Sequence, residues 1–227
     1  MVFCSQMSES KPSILLVDDH VLFRSGLRMI VESLPQTGEK VHEASSGEDS
    51  IEIVRNIPVD IVFMDYSLPG HDGISTSLRL LQINEALKII VLTGLQRLPS
   101  TRVVLQAGIR GYMTKSSAAS EVSQAIDCVM QGSTYLSREI ANQSAIAALK
   151  SKNKISPLDS LSRRELQVAL LLMNGHKPGD VGDLLFLSPK SVSTYKRRAF
   201  EKLAVDSLVQ LVEIGRDHGF LGDLQTS

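Results

Sequence analysis

The stretch VFMDYSLPG, residues 62–70, passes from apolar residues to an aspartate and then to a proline and a glycine. A short continuous apolar run bounded by turn residues is typical of a fully buried strand. Pro69 and Gly70 would turn the chain sharply away after that strand. We therefore interpret Ile61–Met64 as a buried strand that carries Asp65 to the rim of a sheet.

Short apolar strands alternate with amphipathic helical stretches on both sides of this segment. The strands are expected at Ile14–Val17, Val41–Ala44, Ile61–Met64, Ile89–Leu92 and Gly111–Met113. The helices are expected at Val21–Leu34, Glu48–Arg55, Gly73–Gln82, Ser100–Gln106 and Ala119–Met130. This alternation predicts an α/β fold, a doubly wound five-stranded parallel sheet covered by helices on both faces.

The pattern changes after Gly132, which indicates a second domain. Tyr135–Lys150 keeps a helical period, Lys150–Asp159 is mostly polar and contains a proline, and no strand pattern follows Leu161. We predict a disordered tail over 1–12, an α/β domain over 13–133, a helix and linker over 134–157, an all-helical domain over 158–222 and a tail over 223–227.

Composition restricts the possible functions. The 227 residues carry a net charge of -1, so a contact with nucleic acid requires a local basic patch. Cys4 and Cys128 lie far apart without metal-ligand spacing, as expected in a reducing cytoplasm. The first residues lack a signal-peptide pattern, and no apolar run approaches the ~20 residues of a membrane helix. We expect a cytoplasmic protein that does not contact a membrane.

Three aspartates follow strands of the expected sheet. Asp18 and Asp19 come directly after the first strand, and Asp65 comes after the third. The carboxyl ends of parallel strands share one edge, where ligands bind. Carboxylates brought together there raise one another's pKa unless a cation joins them, and oxygen ligands suit Mg²⁺.

A hydroxyl and an ammonium group follow the last two strands. Thr93 ends the fourth strand and Lys115 follows the fifth, so both can bind the oxygens of a phosphoryl group attached to Asp65. Asp65 would attack phosphorus in line, and Lys115 would hold the product. These residues predict a phosphoryl acceptor.

Each of these residues has a simpler interpretation when it is taken alone. Asp18 could be a turn or cap residue, Thr93 a strand-end hydroxyl without a task, and Lys115 a solvated lysine. Their joint occurrence at strand ends favours the functional interpretation. The histidines are scattered without metal-ligand spacing, and we interpret them as structural or surface residues: His20, His42, His71, His176 and His218.

The segment from about 13 to 130 resembles the receiver domain of two-component response regulators. The matching motifs are VDDH (17–20), MDYSLPGHDG (64–73), Thr93 followed by Gly94, and GYMTK (111–115). The resemblance implies a flavodoxin-like fold and a sensor histidine kinase or phosphotransfer protein as phosphoryl donor. It also implies that Asp65 is the phosphorylation site and that Thr93 and Tyr112 form a switch pair. The resemblance further implies that Mg²⁺ is bound by Asp18, Asp19, Asp65 and the backbone carbonyl of Ser67.

The second domain carries signals for a helix-turn-helix. Ser162 and Glu165 form a capping box ahead of an apolar helix that closes on Gly175. A helix over 178–186 follows, and Ser188 with Pro189 then starts another helix. In that helix Val192, Ala199 and Leu203 share a core stripe. Its opposite face and borders carry Lys190, Ser193, Thr194, Lys196, Arg197, Arg198 and Lys202.

Residues 161–219 resemble the LuxR-type helix-turn-helix of the NarL/FixJ class, and TYKRRAFEKL (194–203) is similar to the GacA/UvrY-like subgroup. The resemblance implies a transcription regulator, not an enzyme, that binds double-stranded DNA as a homodimer through its last helix and acts on RNA polymerase. It implies base contacts from Ser193, Thr194 and Arg197, and phosphate contacts from Lys190, Tyr195, Lys196 and Arg198. Pro178, Gly179 and Gly182 depart from the family pattern and predict a short scaffold helix.

Other functions remain open from the sequence. An aspartyl-phosphate phosphohydrolase would need a second carboxylate two residues after the nucleophile, where this chain has Ser67. A nucleotide binder would need a GxGxxG motif or a P-loop, and neither occurs. A phospho-regulated protein-interaction module without DNA binding would use the basic helix as a docking face.

Overall fold

The computed structural model describes residues 11–37, 40–69, 73–94, 100–150, 156–218 and 220, with the backbone alone for 147–150. Most of the expected N-terminal tail, the tail over 223–227, Gly70, Gly219 and part of the expected linker lie outside these residues. None of the helices in the described ranges combines the length and apolar character needed to cross a membrane.

A parallel sheet forms the centre of the first domain. Its strands are β1 (Ile14–Val17), β2 (Val41–Ala44), β3 (Ile61–Asp65), β4 (Lys88–Thr93), β5 (Gly111–Thr114) and β6 (Tyr135–Leu136), in the order β2-β1-β3-β4-β5-β6. The predicted strands are confirmed. The sixth strand corrects the helical period expected from Tyr135, since the helix begins only at Arg138. Two strand residues are too short to produce an alternating pattern in the sequence.

Helices cover both faces of the sheet and form the second domain. The first set is α1 (Val21–Ser33), α2 (Gly47–Asn56), α3 (Gly73–Ile83), α4 (Thr101–Gln106) and α5 (Ala119–Met130). After the sheet come α6 (Arg138–Lys150), a 3₁₀ turn (Pro157–Ser160), α7 (Arg163–Met173), α8 (Pro178–Leu185), α9 (Pro189–Leu203) and α10 (Leu208–Asp217). The α/β class with a following all-helical domain is confirmed.

Alternating strand residues supply the apolar cores on the two faces. Ile14 and Leu16 of β1 pack with α1 and α5, whereas Leu15 and Val17 belong to the core on the other face. Side chains of a strand point alternately to its two faces, so a strand buried on both must be apolar throughout. Burial on both faces explains why the run before Asp65 is continuously apolar. Every residue of β3 is buried.

The helical domain follows the capping signals of its sequence. Ser162 accepts a hydrogen bond from the amide of Glu165, and Ser188 accepts one from the amide of Ser191. Gly175 lies just after the end of α7 with φ +85°, the left-handed conformation that glycine adopts without strain. The scaffold helix α8 has only eight residues, in keeping with its glycines, and Gly182 packs closely against the carbonyl of Leu187.

The two domains share a packed seam, in which α3 contacts α7 and α8, and α4 contacts the 3₁₀ turn before α7. Gln167, buried on α7, donates to the carbonyl oxygen of Ala107 at 3.2 Å, and Gln106 donates to the carbonyl oxygen of Leu161 at 2.5 Å. Asn174 donates to the hydroxyl of Ser75. The apolar core of the helical domain continues across this seam into that of the α/β domain.

Glu165 links α7 to α9 and gives a prediction about stability. Its carboxylate lies 2.5 Å from the ammonium of Lys202, and its side chain is 5 % exposed. Burial raises the pKa of Glu165, but Lys202 and the hydrogen bonds from Ser162 outweigh burial and leave the pKa below its ordinary value. The ionised carboxylate of Glu165 therefore stabilises the folded protein at pH values above its unfolded pKa of about 4.3. This stabilisation is lost as the pH falls through the pKa of Glu165 in the folded protein.

Replacing Glu165 with glutamine should destabilise the protein by roughly 1–3 kcal/mol at neutral pH, because Lys202 loses its charged partner. Urea unfolding measures this difference, which should shrink as the pH falls below about 4. The matched control is Glu201→Gln, which breaks an ion pair between two exposed side chains and should change stability by at most about 1 kcal/mol. Equal effects of the two changes would contradict a structural role for the buried carboxylate.

Candidate functional site

The three aspartates predicted from the sequence meet at the carboxyl edge of the sheet. Val17 pairs with Met64 in the β1–β3 register, so the next residues, Asp18 and Asp65, end neighbouring strands. The side chains of Asp18 and Asp65 are almost completely buried, whereas that of Asp19 is partly exposed. Two buried carboxylates at one edge create a local excess of negative charge.

Lys115 supplies a positive charge between the two buried carboxylates. Its ammonium lies 2.7 Å from Oδ2 of Asp18 and 2.8 Å from Oδ2 of Asp65. The amide of Lys115 bonds to the carbonyl of Thr93, which fixes the start of the loop after β5. The centroid of the Phe23 ring lies 4.9 Å from the ammonium, within the range of a cation–π interaction.

Burial and charge shift the pKa values of this cluster. Burial raises the pKa of Asp65, Lys115 opposes the rise and Asp18 adds to it, so the pKa stays above the ordinary value. Burial lowers the pKa of Lys115, but its close contacts with the carboxylates of Asp18 and Asp65 outweigh burial and raise the pKa. The ammonium therefore stays charged and can hold an anionic group beside Asp65.

The cluster also has the donor atoms of a cation site. One ligand atom each from Asp18, Asp19, His20 and Asp65 can be chosen so that all lie within 4.8 Å of one another. Oδ2 of Asp18 and Oδ1 of Asp19 are buried and have no hydrogen bond of good geometry, although each lies close to a nitrogen. The amide of Ser67 donates to Oδ1 of Asp65 at 3.2 Å, so the backbone of Ser67 adjoins the cluster. These residues fit a hard divalent ion.

Thr93 and Tyr112 lie on neighbouring strands near the carboxylates. Both side chains are fully buried. Burial raises the pKa of Tyr112 and the nearby Thr93 hydroxyl opposes this only in part, so the phenol is uncharged. The carbonyl of Tyr112 accepts from the amide of Ser137, directly before α6. The aromatic residue of the predicted pair is thus joined by its backbone to the helix that leads to the second domain.

Helix α9 presents the basic surface predicted from the sequence. Val192, Ala199 and Leu203 are buried, as expected for its core stripe. The opposite face is open to solvent, with the side chains of Lys190, Ser193, Arg197 and Arg198 exposed and those of Thr194, Tyr195 and Lys196 partly exposed. The packed seam between the domains involves α7 and α8, so it leaves the basic face of α9 accessible.

Two side chains on this face already have partners within the helix. Arg197 forms an ion pair of 2.5 Å with Glu201, and the hydroxyl of Thr194 donates to the carbonyl of Lys190 at 2.8 Å. Any external ligand of Arg197 must compete with Glu201. The ion pair is exposed, so its contribution is at most about 1 kcal/mol.

Replacing Glu201 with glutamine should therefore strengthen binding of a polyanion to α9 by about twofold to fivefold, because the change releases Arg197 and removes a negative charge. Fluorescence anisotropy with a labelled DNA duplex measures this gain. Glu213→Gln, which removes an exposed carboxylate from α10, is the control and should have a smaller effect. Unchanged or weaker binding by the Glu201 variant would contradict a role for Arg197 at the contact surface.

Comparison with family models agrees with both domains. Residues 14–127 match the model of the response regulator receiver domain, and residues 159–214 match that of the bacterial regulatory proteins of the luxR family. The chain belongs to the response regulators. Its receiver domain contains the carboxylate cluster, and its LuxR-type domain contains the exposed basic helix.

Relatives align with this chain across both of its domains. Response regulator GacA of Pseudomonas aeruginosa is 40% identical over 92% of this chain and 97% of the relative. Response regulator UvrY of Escherichia coli K12 is 39% identical over 91% of this chain and 94% of the relative.

Solved structures show the same fold. A LuxR-family two-component response regulator from Aurantimonas sp. SI85-9A1 is 34% identical, with a TM-score of 0.56, and covers 62% of this chain and 100% of its own. The response regulator RcsB in a complex with DNA is 23% identical, with a TM-score of 0.54, and covers 90% of this chain and 97% of its own.

Sequence reasoning missed some residues at the carboxylate cluster of this response regulator. The interpretation of His20 as a structural or surface residue agrees with its exposed side chain but does not include the contact of its ring with Asp18 and Asp19. Arg24 donates to the backbone carbonyl of Asp18 and pairs with Glu43 at 2.8 Å, which anchors α1 beside the cluster. The position of His20 directly after Asp19 was the available signal. Nothing in the sequence marked Arg24, because a helical arginine is usually solvated.

Proposed function

We propose that this protein is a DNA-binding transcription regulator of a two-component phosphorelay, switched by phosphorylation of Asp65. The observation that carries the proposal is the geometry of Asp65, a buried carboxylate 2.8 Å from the ammonium of Lys115, in a chain that also exposes the basic face of α9. Such a protein acts in the cytoplasm, where the kinase domain and DNA are both accessible.

The phosphoryl transfer would use the residues around Asp65. An oxygen of Asp65 forms the new bond to phosphorus while the bond between phosphorus and a histidine nitrogen of the kinase or phosphotransfer protein breaks. Asp18, Asp19, Asp65 and the backbone carbonyl of Ser67 would hold Mg²⁺, which neutralises charge on the incoming group. The ammonium of Lys115, now shared by two carboxylates, would bind an oxygen of the phosphoryl group.

The output of this reaction would pass through Thr93 and Tyr112. The hydroxyl of Thr93 would bind the phosphoryl group, and the buried ring of Tyr112 would be held inward below α6. The hydrogen bond from Ser137 to the carbonyl of Tyr112 supports this route, because it couples the end of β5 to the start of α6. A shift there would change the contacts that hold the second domain against α3 and α4.

The DNA contact would use α9 in the major groove. Ser193, Thr194 and Arg197 would reach base edges, and Lys190, Tyr195, Lys196 and Arg198 would bind phosphates. Helix α10 exposes Leu208 and Val209, which supports pairing of two copies on a near-palindromic site. Bound there, a dimer would be in position to contact RNA polymerase.

A gel-shift titration in rising salt tests the proposal. A genome-wide footprint with and without acetyl phosphate first identifies DNA fragments that the protein binds. The affinity of the purified protein for these fragments is then measured by gel shift at several salt concentrations. Three cations on α9 of each subunit give six phosphate contacts in a dimer, for which the expected log–log slope with salt is about -5. Acetyl phosphate should increase the affinity. Absence of a shifted band at every salt concentration would favour the protein-interaction module, and turnover of phosphate esters would favour the phosphohydrolase.

A further inference from the structure

His20 belongs to the carboxylate cluster by its position. Its Nδ1 atom lies 2.8 Å from Oδ1 of Asp19 and 3.3 Å from Oδ1 of Asp18. The ligand atoms of these residues and of Asp65 lie within 4.8 Å of one another. The cluster therefore offers three carboxylates and one imidazole nitrogen, rather than oxygen atoms alone.

The imidazole contacts the two aspartates and takes no part in capping the helix that it precedes. His20 is the N-cap residue of α1, but its side chain makes no capping hydrogen bond. Its amide donates to Oδ1 of Asp18 at 2.8 Å, which holds the backbone beside the cluster. The side chain is 67% exposed, so the ring has room to adjust at the rim. Oδ1 of Asp19, its nearest neighbour, lacks a hydrogen bond of good geometry.

We propose that His20 is a nitrogen ligand of the divalent ion held by Asp18, Asp19 and Asp65, and that it shifts the preference of the site from Mg²⁺ towards Mn²⁺ and Co²⁺. The proposal rests on the proposed phosphoryl-acceptor function. It differs from that function because Mg²⁺ bound by oxygen alone would support phosphorylation equally well.

The distances from His20 to Asp18 and Asp19 are compatible with coordination of one ion by all three side chains. Adjacent ligands of an octahedral ion with bonds of about 2.1 Å are about 3.0 Å apart. The separations of 2.8 and 3.3 Å between Nδ1 and the two carboxylate oxygens lie on either side of this value. Imidazole favours transition metals, whereas Mg²⁺ favours oxygen ligands, so one nitrogen donor discriminates between the two classes of ion.

The test measures metal binding and does not depend on phosphorylation. Calorimetric titrations with Mg²⁺, Mn²⁺ and Co²⁺ are carried out on the full-length wild type, His20→Ala and His20→Gln, all in one mildly alkaline buffer. We expect both variants to lose about tenfold or more in Co²⁺ affinity and less than about threefold in Mg²⁺ affinity. The control is His42→Ala, which removes a histidine of the same domain from outside the cluster and should change neither affinity.

Electron spin-echo spectroscopy of bound Mn²⁺ provides a second measurement on the unmodified protein. A nitrogen ligand gives ¹⁴N modulation, which should be present in the wild type and in His42→Ala and absent in both His20 variants. Absence of ¹⁴N modulation in the wild type, or an unchanged ratio of Co²⁺ to Mg²⁺ affinity in the variants, would overturn the role of His20 while leaving phosphorylation of Asp65 intact. If the wild type binds no divalent ion and is not labelled by acetyl phosphate, the proposed function fails as well.

Discussion

Replacing Asp65 with asparagine is expected to reduce labelling by radioactive acetyl phosphate to background. The amide has nearly the same shape as the carboxyl group, but it cannot form the acyl phosphate. Asp65 is buried beside Asp18, and its raised pKa means that its ionised form is destabilising at neutral pH. The asparagine variant should therefore unfold at the same or a higher urea concentration than the wild type, so the loss of labelling cannot be ascribed to unfolding.

The matched control for this experiment is Asp127→Asn, which changes an exposed aspartate of α5 and should leave labelling unchanged. A second comparison is Lys115→Ala, which keeps the nucleophile but removes the ammonium between the carboxylates. We expect this variant to be labelled slowly and to fail in DNA-binding activation. Undiminished labelling of the Asp65 variant would refute the assignment of the phosphorylation site.

The strands and helices could be predicted because their signals are local. The run before Asp65 is buried on both faces, so every residue in it must be apolar, and this is visible without any knowledge of neighbours. The same holds for Ser162 with Glu165 and for Ser188, whose capping roles depend on residues three positions away. Gly175 and its positive φ follow from the same short-range logic.

The carboxylate cluster could be predicted in part. Parallel strands place Asp18 and Asp65 at one edge regardless of the details of packing, so their proximity follows from topology. The sharing of Lys115 by both carboxylates depends on the conformation of the loop after β5, and the position of the His20 ring depends on the start of α1. Neither is encoded in strand spacing, which is why the contact of His20 with the aspartates could not be predicted.

The seam between the domains could not be predicted. Gln106 and Gln167 look like ordinary surface residues in their helices, but each donates to a carbonyl of the other domain. Interfaces of this kind combine long-range contacts that leave no periodic pattern in either segment. Since the seam leaves α9 open, this arrangement of domains does not by itself block the basic face. Regulation of DNA binding would therefore have to act on dimerisation or on the orientation of the LuxR-type domain.

Replacing Arg197 with alanine should abolish most of the sequence-specific affinity for DNA. A side chain that reads a base contributes about 1–3 kcal/mol, so a dimer with two half-sites should lose about 2 kcal/mol or more, equivalent to about 30-fold. Affinity for random DNA should change much less. The fold should not be affected, since the guanidinium is exposed and its ion pair with Glu201 is a surface contact.

Lys190→Ala is the matched comparison for Arg197→Ala, because it removes an exposed cation from the start of the same helix. As a phosphate contact, Lys190 should contribute equally to the affinity for specific and for random DNA. Its loss from both subunits should make the slope of log affinity against log salt concentration shallower by about 2. Competition gel shifts with both kinds of DNA at several salt concentrations separate the two effects. If both variants weaken specific and random binding in parallel, Arg197 binds the phosphate backbone and sequence recognition must depend on Ser193 and Thr194. If neither variant weakens binding, α9 does not enter the groove, and the basic face serves a protein partner instead.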